Sequence, residues 1–210
     1  MAVIHRTTLT PSKLALIETL LPRRPWYRGQ SPRLRKVGGF RLDDPAGAVG
    51  IEFVLVVDDS ADGPVLYNVP LTYRGAPLLD GDRALVGTTE HGVLGKRWIY
   101  DGTADPVALG VVVELLSGRA VAQAQNHSDT PDPSVLVTPA DILPSGIGLG
   151  AAVDSDTATE VPIGSAGAVL RFPRRLSGRP SGAPGSVAAP YDLGGERRAA
   201  VEVVALLPGK

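Results

Sequence analysis

The ten residues Val65–Arg74 constrain the fold of this chain more than any other stretch. Large apolar side chains recur at every second position from Val65 to Tyr73, and a period of two is that of a β-strand. Pro70 lies in the middle of the run and cannot donate a backbone hydrogen bond, which predicts an edge strand or a bulge. The chain is therefore expected to build a sheet around this strand.

Neighbouring segments predict two antiparallel hairpins in the same sheet. Residues 51–58 are apolar on both faces, so that strand is expected at the centre of the sheet and covered on both sides. The second hairpin is predicted to turn at Glu90, His91 and Gly92, where a short connection contains glycine. The predicted strand pairs are Phe40–Asp44 with Ile51–Asp58, and Ala84–Thr89 with Val93–Tyr100. The acidic run 58–63 is expected to be a solvated turn, because it lacks the full ligand pattern of a calcium loop.

Two short helices are predicted from capping signals. Thr10-Pro11 indicates a helix start, and the apolar stripe that follows ends at Pro22, which gives about three turns. Asp105-Pro106 repeats the signal, and residues 107–116 are apolar on almost every side, so this helix is expected to be buried. Gly118 is placed to end it.

The remaining segments add strands and loops. Strands are predicted at the beginning of the chain and in its second half, whereas 177–198, rich in Gly, Pro, Ser and Ala, is expected to be a flexible loop. The predicted strands are Ala2–Leu9, Val121–Gln125, Ala166–Phe172 and Val201–Leu207. These elements predict one α+β domain over 1–210, in which a curved antiparallel sheet is packed by two short helices and followed by extra C-terminal strands.

Composition excludes several classes of function. The formal net charge is −1, which offers little attraction for a phosphate backbone, so nucleic acid is not an expected partner. There is no cysteine for a disulfide or a thiolate metal site, and three histidines show no metal-ligand spacing. We expect neither a metal nor another cofactor. No secretion signal or membrane-length apolar run is present, so a cytoplasmic protein without membrane association is expected.

Two clusters are candidates for ligand binding. Trp26, Tyr27 and Arg28 lie in the most basic segment of the chain and could form an aromatic and cationic platform for a sugar or sugar phosphate. The alternative is that Trp26 fills the core while the arginines are solvated. The second cluster belongs to the predicted β-hairpin and comprises Glu90, His91, Lys96 and Arg97. Both clusters could line a concave face of the sheet.

Three short motifs resemble functional sequences without completing them. The glycine-rich segment 145–153 lacks the preceding strand and the later acidic residue of a dinucleotide site. Gly92–Lys96 lacks the spacing and the hydroxyl of a phosphate loop. His127-Ser128-Asp129 matches the His-x-Asp of a phosphotransferase loop, but no asparagine follows at the required place. Chance explains these matches best, and a divergent phosphotransferase that uses Asp129 is the remotest alternative.

Three longer motifs resemble the N-terminal cap domain of actinobacterial maltokinases and related aminosugar kinases. They are Leu21-Pro22 with Arg24–Gly29, the strand Tyr67–Arg74, and Tyr100–Gly102 before Asp105-Pro106. The resemblance covers about 1–120 and leaves an extension over 121–210. It implies a cystatin-like curved sheet, which in those kinases precedes a two-lobed catalytic body. No catalytic residue is carried over, because the family's catalytic residues belong to that body.

The resemblance predicts a cap-like protein that is not an enzyme. Its expected role is interaction with, or regulation of, a sugar kinase or another enzyme of trehalose, maltose, glycogen or aminosugar metabolism. The alternative is a small-ligand-binding protein or enzyme that uses the two clusters described above. The sequence leaves open the ligand, the partner and the oligomeric state, a homodimer included.

Overall fold

The computed structural model describes residues 9–60, 63–127, 129–140, 143, 148–194 and 200–209. These residues form an α+β fold with two short helices and a curved antiparallel sheet, as predicted, and the extra C-terminal strands make a second antiparallel sheet. The helices are α1 (Lys13–Leu20) and α2 (Pro106–Leu116). The strands are β1 (Leu9–Thr10), β2 (Leu34–Asp43), β3 (Val49–Asp58), β4 (Val65–Arg74), β5 (Leu85–His91), β6 (Gly95–Asp101), β7 (Leu136–Thr138), β8 (Val153–Asp154), β9 (Ala158–Ile163), β10 (Ala168–Pro173), β11 (Arg175–Leu176), β12 (Ser186–Ala189) and β13 (Val201–Leu207).

The first sheet, which we call the cap-like sheet, is strongly curled. Its strands follow the order β1-β5-β6-β4-β3-β2, and β11 adds to β4. The second, C-terminal sheet follows the order β7-β12-β13-β10-β9-β8. Residues 2–8 of the predicted first strand lie outside the described residues, and the part that is described, β1, is an edge strand.

Strand β3 is central and covered on both faces, as its apolar pattern predicts. Ile51 and Phe53 belong to a large core that also contains α2 and the C-terminal sheet. Val54 and Val56 point to the other face, where α1 and the Trp26 ring pack against them. The alternation along one strand thus assigns the two helices to opposite faces of the cap-like sheet.

Strand β4 has the predicted bounds but not the predicted place at an edge. It pairs with β3 along its whole length, and Pro70 is opposite Phe53. On its other side β6 pairs only from Leu71 onward, and β11 pairs only with Leu66 and Tyr67. Pro70 therefore lies in the gap between these two partners, where its missing N–H costs no ladder hydrogen bond.

Helix α2 begins and ends as its sequence signals predict, whereas α1 does not. α2 is capped by the Asp105 side chain, is buried, and is followed by Gly118 at φ +70, all as predicted. α1 is shorter than predicted, because Ser12 and not Thr10 supplies the capping oxygen. The chain then continues into a 3-10 turn over Leu21–Arg23, so Pro22 lies within that turn and the α-helix ends before it.

Two predictions about the second half differ from the structure. Val121–Gln125 forms no strand, and only Gln123 makes isolated bridges, to Arg41 and Pro131. The segment predicted as a flexible loop contains β12, whose four residues are all buried between β7 and β13. Small side chains at 186–189 give no recognisable strand pattern, yet they fit close to a neighbouring sheet.

The two sheets are joined directly as well as through the core. β11 pairs with β4, with Arg175 opposite Tyr67. The amide of Asn68, which is fully buried, donates to the carbonyls of Pro173 and Val203 at 3.1 and 2.9 Å. The later part of the chain therefore supplies the missing partner of β4 beside β6 in the cap-like sheet.

Candidate functional site

The first predicted ligand cluster lies largely inside the protein. Trp26 has no exposed surface, and its ring lies 6.0 Å from that of Tyr67. Tyr27 is buried as well, with its hydroxyl donating to Asp58 at 2.7 Å. Arg28 is half exposed, donates its backbone N–H to Tyr67, and directs its guanidinium to Asp156 at 3.1 Å. Trp26 thus occupies the core, which was the alternative interpretation of this segment.

Asp58 corrects the expectation of a solvated acidic turn. It is 1% exposed and accepts from the Tyr27 hydroxyl and from the backbone N–H groups of Arg33 and Ser60. Burial alone would raise the pKa of this carboxyl, but these donors hold it below its ordinary value. Burial and the neighbouring carboxylate raise the pKa of Tyr27 to about 12. Asp58 therefore fastens the 27–33 segment to the end of β3.

The second predicted cluster lies on the β5–β6 hairpin, with its turn shifted along the chain. Glu90 and His91 are the last residues of β5, and Gly92–Leu94 make the turn. His91 Nδ1 accepts from the N–H groups of Val93 and Leu94 at 3.2 and 3.0 Å, and Gly95 at φ +68 begins β6. The imidazole of His91, the last residue of β5, thus stabilises the turn that follows it.

Lys96 and Arg97 lie on the returning strand of the same hairpin. The ammonium of Lys96 lies 5.1 Å from the centre of the Trp98 ring, which fits a cation–π contact. The guanidinium of Arg97 donates to the carbonyl of Leu94 at 2.8 Å. Both cations therefore stay beside the turn.

The structure does not bring the two predicted clusters together. Tyr67, which contacts Trp26 and Tyr27, is near the beginning of β4, whereas the hairpin extends past Arg74 at its end. Seven residues of strand separate Tyr67 from Arg74, about 23 Å at the usual rise. The residues proposed to line one concave face thus belong to opposite ends of the cap-like sheet.

The hairpin end carries exposed apolar side chains. Arg74 pairs with Trp98, so β6 extends three residues, about 10 Å, beyond its neighbour β4. At the turn Val93 is 60% exposed and Leu94 46%. Leu79, 88% exposed, belongs to the loop that leaves β4 at this same end. We call Leu79, Val93 and Leu94 the hairpin patch.

Sequence reasoning missed a sealed ionic network at the junction of the two sheets. Arg174, with no exposed surface, donates to both carboxylate oxygens of Asp101 at 2.7 Å. It also bonds the hydroxyls of Thr103 and Thr159, and its guanidinium lies 5.1 Å from the Trp26 ring centre. Arg24 adds a longer contact to Asp101 at 3.5 Å. We call these residues the Arg174 network.

The charges of the Arg174 network stabilise the ionised carboxylate. Burial alone would raise the pKa of Asp101, but the guanidiniums of Arg174 and Arg24 hold it below its ordinary value. Arg24 also contacts Asp154 at 3.4 Å, so two guanidiniums meet two carboxylates. The network is charge-balanced and closed to solvent at its centre.

A second ionic cluster, also missed, lies on the α1 face. Glu52 is a nearly buried carboxylate in the middle of β3. Lys13 and Tyr73 donate to its Oε2 atom, the Tyr73 hydroxyl at 3.1 Å, and Gln125 donates to Oε1 at 2.8 Å. Lys36 Nζ lies 3.8 Å from Oε1. We call these residues the Glu52 cluster. A single charge inside an apolar strand was the sequence signal that could have revealed it.

The other features give no catalytic constellation. A groove of about 380 Å³ runs along α2, lined mainly by Pro45, Val107, Gly110, Val111 and Leu149. Asp129 is exposed in its loop at φ +50. His5, Ser128, Gly146 and Ile147 lie outside the described residues. Within the described ranges, no three His, Cys, Asp or Glu side chains form a metal cluster. No described helix combines the length and apolarity of a membrane span.

Comparison with known proteins supports the resemblance found in the sequence. Residues 20–105 match a family described as the maltokinase N-terminal cap domain. The match begins at the end of α1 and runs to the cap of α2, so it includes β2–β6 and the hairpin patch. No curated protein matches the chain. This part of the chain therefore resembles a maltokinase N-terminal cap domain.

Proposed function

We propose that the protein acts by binding a maltokinase-type sugar kinase, as an interaction or regulatory protein and not as a catalyst. The observation that carries this proposal is the match of 20–105 to the maltokinase cap domain. A cap domain of this family accompanies a kinase body, so association with a kinase is the function that the match favours. The metabolic setting that follows is maltose, trehalose, glycogen or aminosugar conversion.

The hairpin patch is the surface that we assign to the kinase. Of the described large apolar side chains inside the matched range, the most exposed are the three of this patch. Exposed apolar groups at one end of a sheet are typical of an interaction site. Lys96 and Arg97 lie beside the turn, so the complementary kinase surface is expected to be apolar with an acidic rim.

The test is a binding titration with a purified maltokinase-type sugar kinase. Val93→Asp with Leu94→Asp should weaken binding at least about tenfold, since a charge in an apolar contact is not compensated. The matched control is Val121→Asp with Val153→Asp. These side chains are 58% and 62% exposed, as Val93 is, but lie outside the matched range.

The outcomes distinguish the possibilities. Loss of binding in the hairpin variant alone supports the proposal. Unchanged binding in the hairpin variant would place the contact elsewhere, equal loss in both variants would show that the effect is not specific to the patch, and absence of any binding or effect on kinase rate would overturn the proposal. Sedimentation of the chain alone measures self-association, and a dimer broken by the hairpin variant would assign the patch to a second copy instead.

A further inference from the structure

The groove along α2, which we call the α2 groove, has the size of a small-molecule site. Its volume is about 380 Å³, and pockets that bind small organic ligands begin at about 300 Å³. A single turn of a partner helix, about 10 Å wide and 5.4 Å long, would already need about 420 Å³. The α2 groove therefore fits a compact free molecule better than a helix of another protein.

Gly110 lines the α2 groove from the middle of the helix. Its backbone is helical, and a Cβ atom added to it would meet no atom of the described residues within 4 Å. Glycine is one of the least favourable residues inside a helix, so the fold gives no steric reason for it at this position. The missing side chain instead leaves open the space of the groove.

The two sides of the α2 groove are held in place by the backbone. On one side, Leu149 forms a bridge with Ile163 of β9. On the other side, Pro45 belongs to the turn between β2 and β3, and the Asp44 carboxylate accepts three N–H groups of that turn. A groove fixed in this way is formed before a ligand arrives, which lowers the cost of binding.

The charged residues of the lining are both acidic. Among the described residues that line the α2 groove are Asp44 and Glu114, but no lysine, arginine or histidine. Glu114 pairs with Arg119 at 2.6 Å, whereas the hydrogen bonds to the Asp44 carboxylate come from backbone N–H groups, which are neutral. Asp44 Oδ1 accepts one of these bonds, from Ala46, so it has room for a further donor.

We propose that the α2 groove binds a small organic cation, in which an ammonium group donates to Asp44 and a compact apolar body lies over Gly110. Val107, Val111 and Leu149 supply the apolar contacts. A sugar would leave hydroxyls without partners against these side chains, and an anion would be repelled by the carboxylates. This inference is independent of the proposed binding to a kinase.

The test is a titration of the unaltered protein at about pH 7 with three ligands of similar shape, followed by the chemical shifts of the backbone amides. The ligands are 2-phenylethylammonium, the neutral 2-phenylethanol and the anionic 3-phenylpropionate. The ammonium should bind best, and the alcohol about threefold more weakly or worse, as expected for a partly solvated charge contact. Shifts should concentrate at 44–49, 106–114 and 148–150. Equal affinity for the ammonium and the alcohol, or shifts concentrated elsewhere, would overturn the proposal.

Gly110→Leu tests the place of the apolar body. The new side chain would occupy the groove, so the Kd of the ammonium should rise at least about tenfold. The midpoint of thermal unfolding should not fall, because leucine favours a helix more than glycine does. Unchanged affinity in a folded Gly110→Leu variant would overturn the proposal.

Asp44→Asn tests the place of the ammonium. Asparagine can still accept the N–H groups of the turn, but the preference for the ammonium over the alcohol should disappear. The matched control is Asp132→Asn, because the Asp132 carboxylate also accepts a backbone N–H group, that of Ser134, and does not line the groove. A preference that survives Asp44→Asn, or that Asp132→Asn removes equally, would overturn the assignment to Asp44. If Asp44→Asn fails to fold, the comparison of the three ligands and Gly110→Leu decide the matter.

Discussion

The Arg174 network and the Glu52 cluster are both built around a carboxylate of the cap-like sheet, yet they are opposites in solvation and charge. Around Asp101 two guanidiniums face two carboxylates, and Arg174 is completely enclosed. Around Glu52 two ammonium groups share one carboxylate, and each lysine keeps a quarter to a third of its side chain exposed, at 26% and 33%. Enclosure with balanced charge makes each partner of an ionic network depend on the other, whereas exposure lets water solvate the surplus charge.

The largest effect should follow from opening the sealed network. Arg174→Met leaves Asp101 buried with only the distant Arg24 as counter-charge, and should lower the free energy of unfolding by about 3–5 kcal/mol. Urea unfolding, followed by the fluorescence of the adjacent Trp26, measures the loss. Adding Asp101→Asn should recover part of it, because the uncompensated charge is then removed.

The matched control for Arg174 is three residues away. Arg171 pairs with Glu160 at 2.9 Å, but both side chains are more than a third exposed. Arg171→Met should therefore cost less than about 1 kcal/mol. If Arg174→Met were as mild as this control, the network would not be the structural connection described here.

An intermediate effect is expected in the open cluster. Glu52→Gln removes the negative charge but keeps the shape, and water can solvate both lysines in its place. The free energy of unfolding should fall by about 1.5–3 kcal/mol, the value of hydrogen bonds to a charged group. The same urea titration serves as the measurement, and a loss equal to that of Arg174→Met would erase the distinction between the two clusters.

The smallest effects should appear at opposite ends of the pH scale. Because the pKa of Asp101 is depressed in the folded state, its contribution to stability is complete above the ordinary value of 3.8 and is lost as the pH falls through the folded value. The pKa of Lys36 is also depressed, but for a cation this means that the unfolded chain binds the proton more tightly. Stability should therefore rise with pH toward the ordinary value of 10.5.

Two variants separate the contributions of Asp101 and Lys36 to the pH dependence of stability. Asp101→Asn should flatten the acid loss of stability measured by urea unfolding below about pH 4. Lys36→Met should flatten the alkaline gain as the pH rises toward the ordinary value of 10.5. If a variant does not change the pH dependence of stability in its range, the replaced group is not the cause of that dependence.

The sequence predicted those elements whose signals are local. Strict alternation located β4, a doubly apolar run located β3 at the centre, and a cap with a proline located α2. Strand β12 was not predicted, because its four small residues lie in a region rich in Gly and Pro and show no alternation of apolar and polar side chains. The hairpin turn lies at 92–94 and not at the predicted 90–92. The reason is that the His91 side chain accepts two backbone N–H groups of the turn.

The two ionic clusters could not be predicted from local sequence patterns, because their partners lie far apart in the chain. Arg174 stands among Arg171 and Arg175 in nearly identical surroundings, and its burial depends on Asp101, which lies 73 residues earlier. No pattern in the sequence distinguishes it. Glu52 was visible as an isolated charge in an apolar strand, but its partners Lys13 and Gln125 come from segments 39 and 73 residues away. Family resemblance identified the sheet without identifying either cluster.

The pairing of β11 with β4 also sets an order of events for a growing chain. The beginning of β4 lacks its backbone partner on this side until Arg175 and Leu176 have been made, and the Asn68 amide donates to Val203, 135 residues later. Contacts at such separation slow folding, and a bare strand edge is a template for association with other chains. During synthesis, the first half of the protein is therefore the part most exposed to misassembly. The risk ends when strands from the later part of the chain pair with β4.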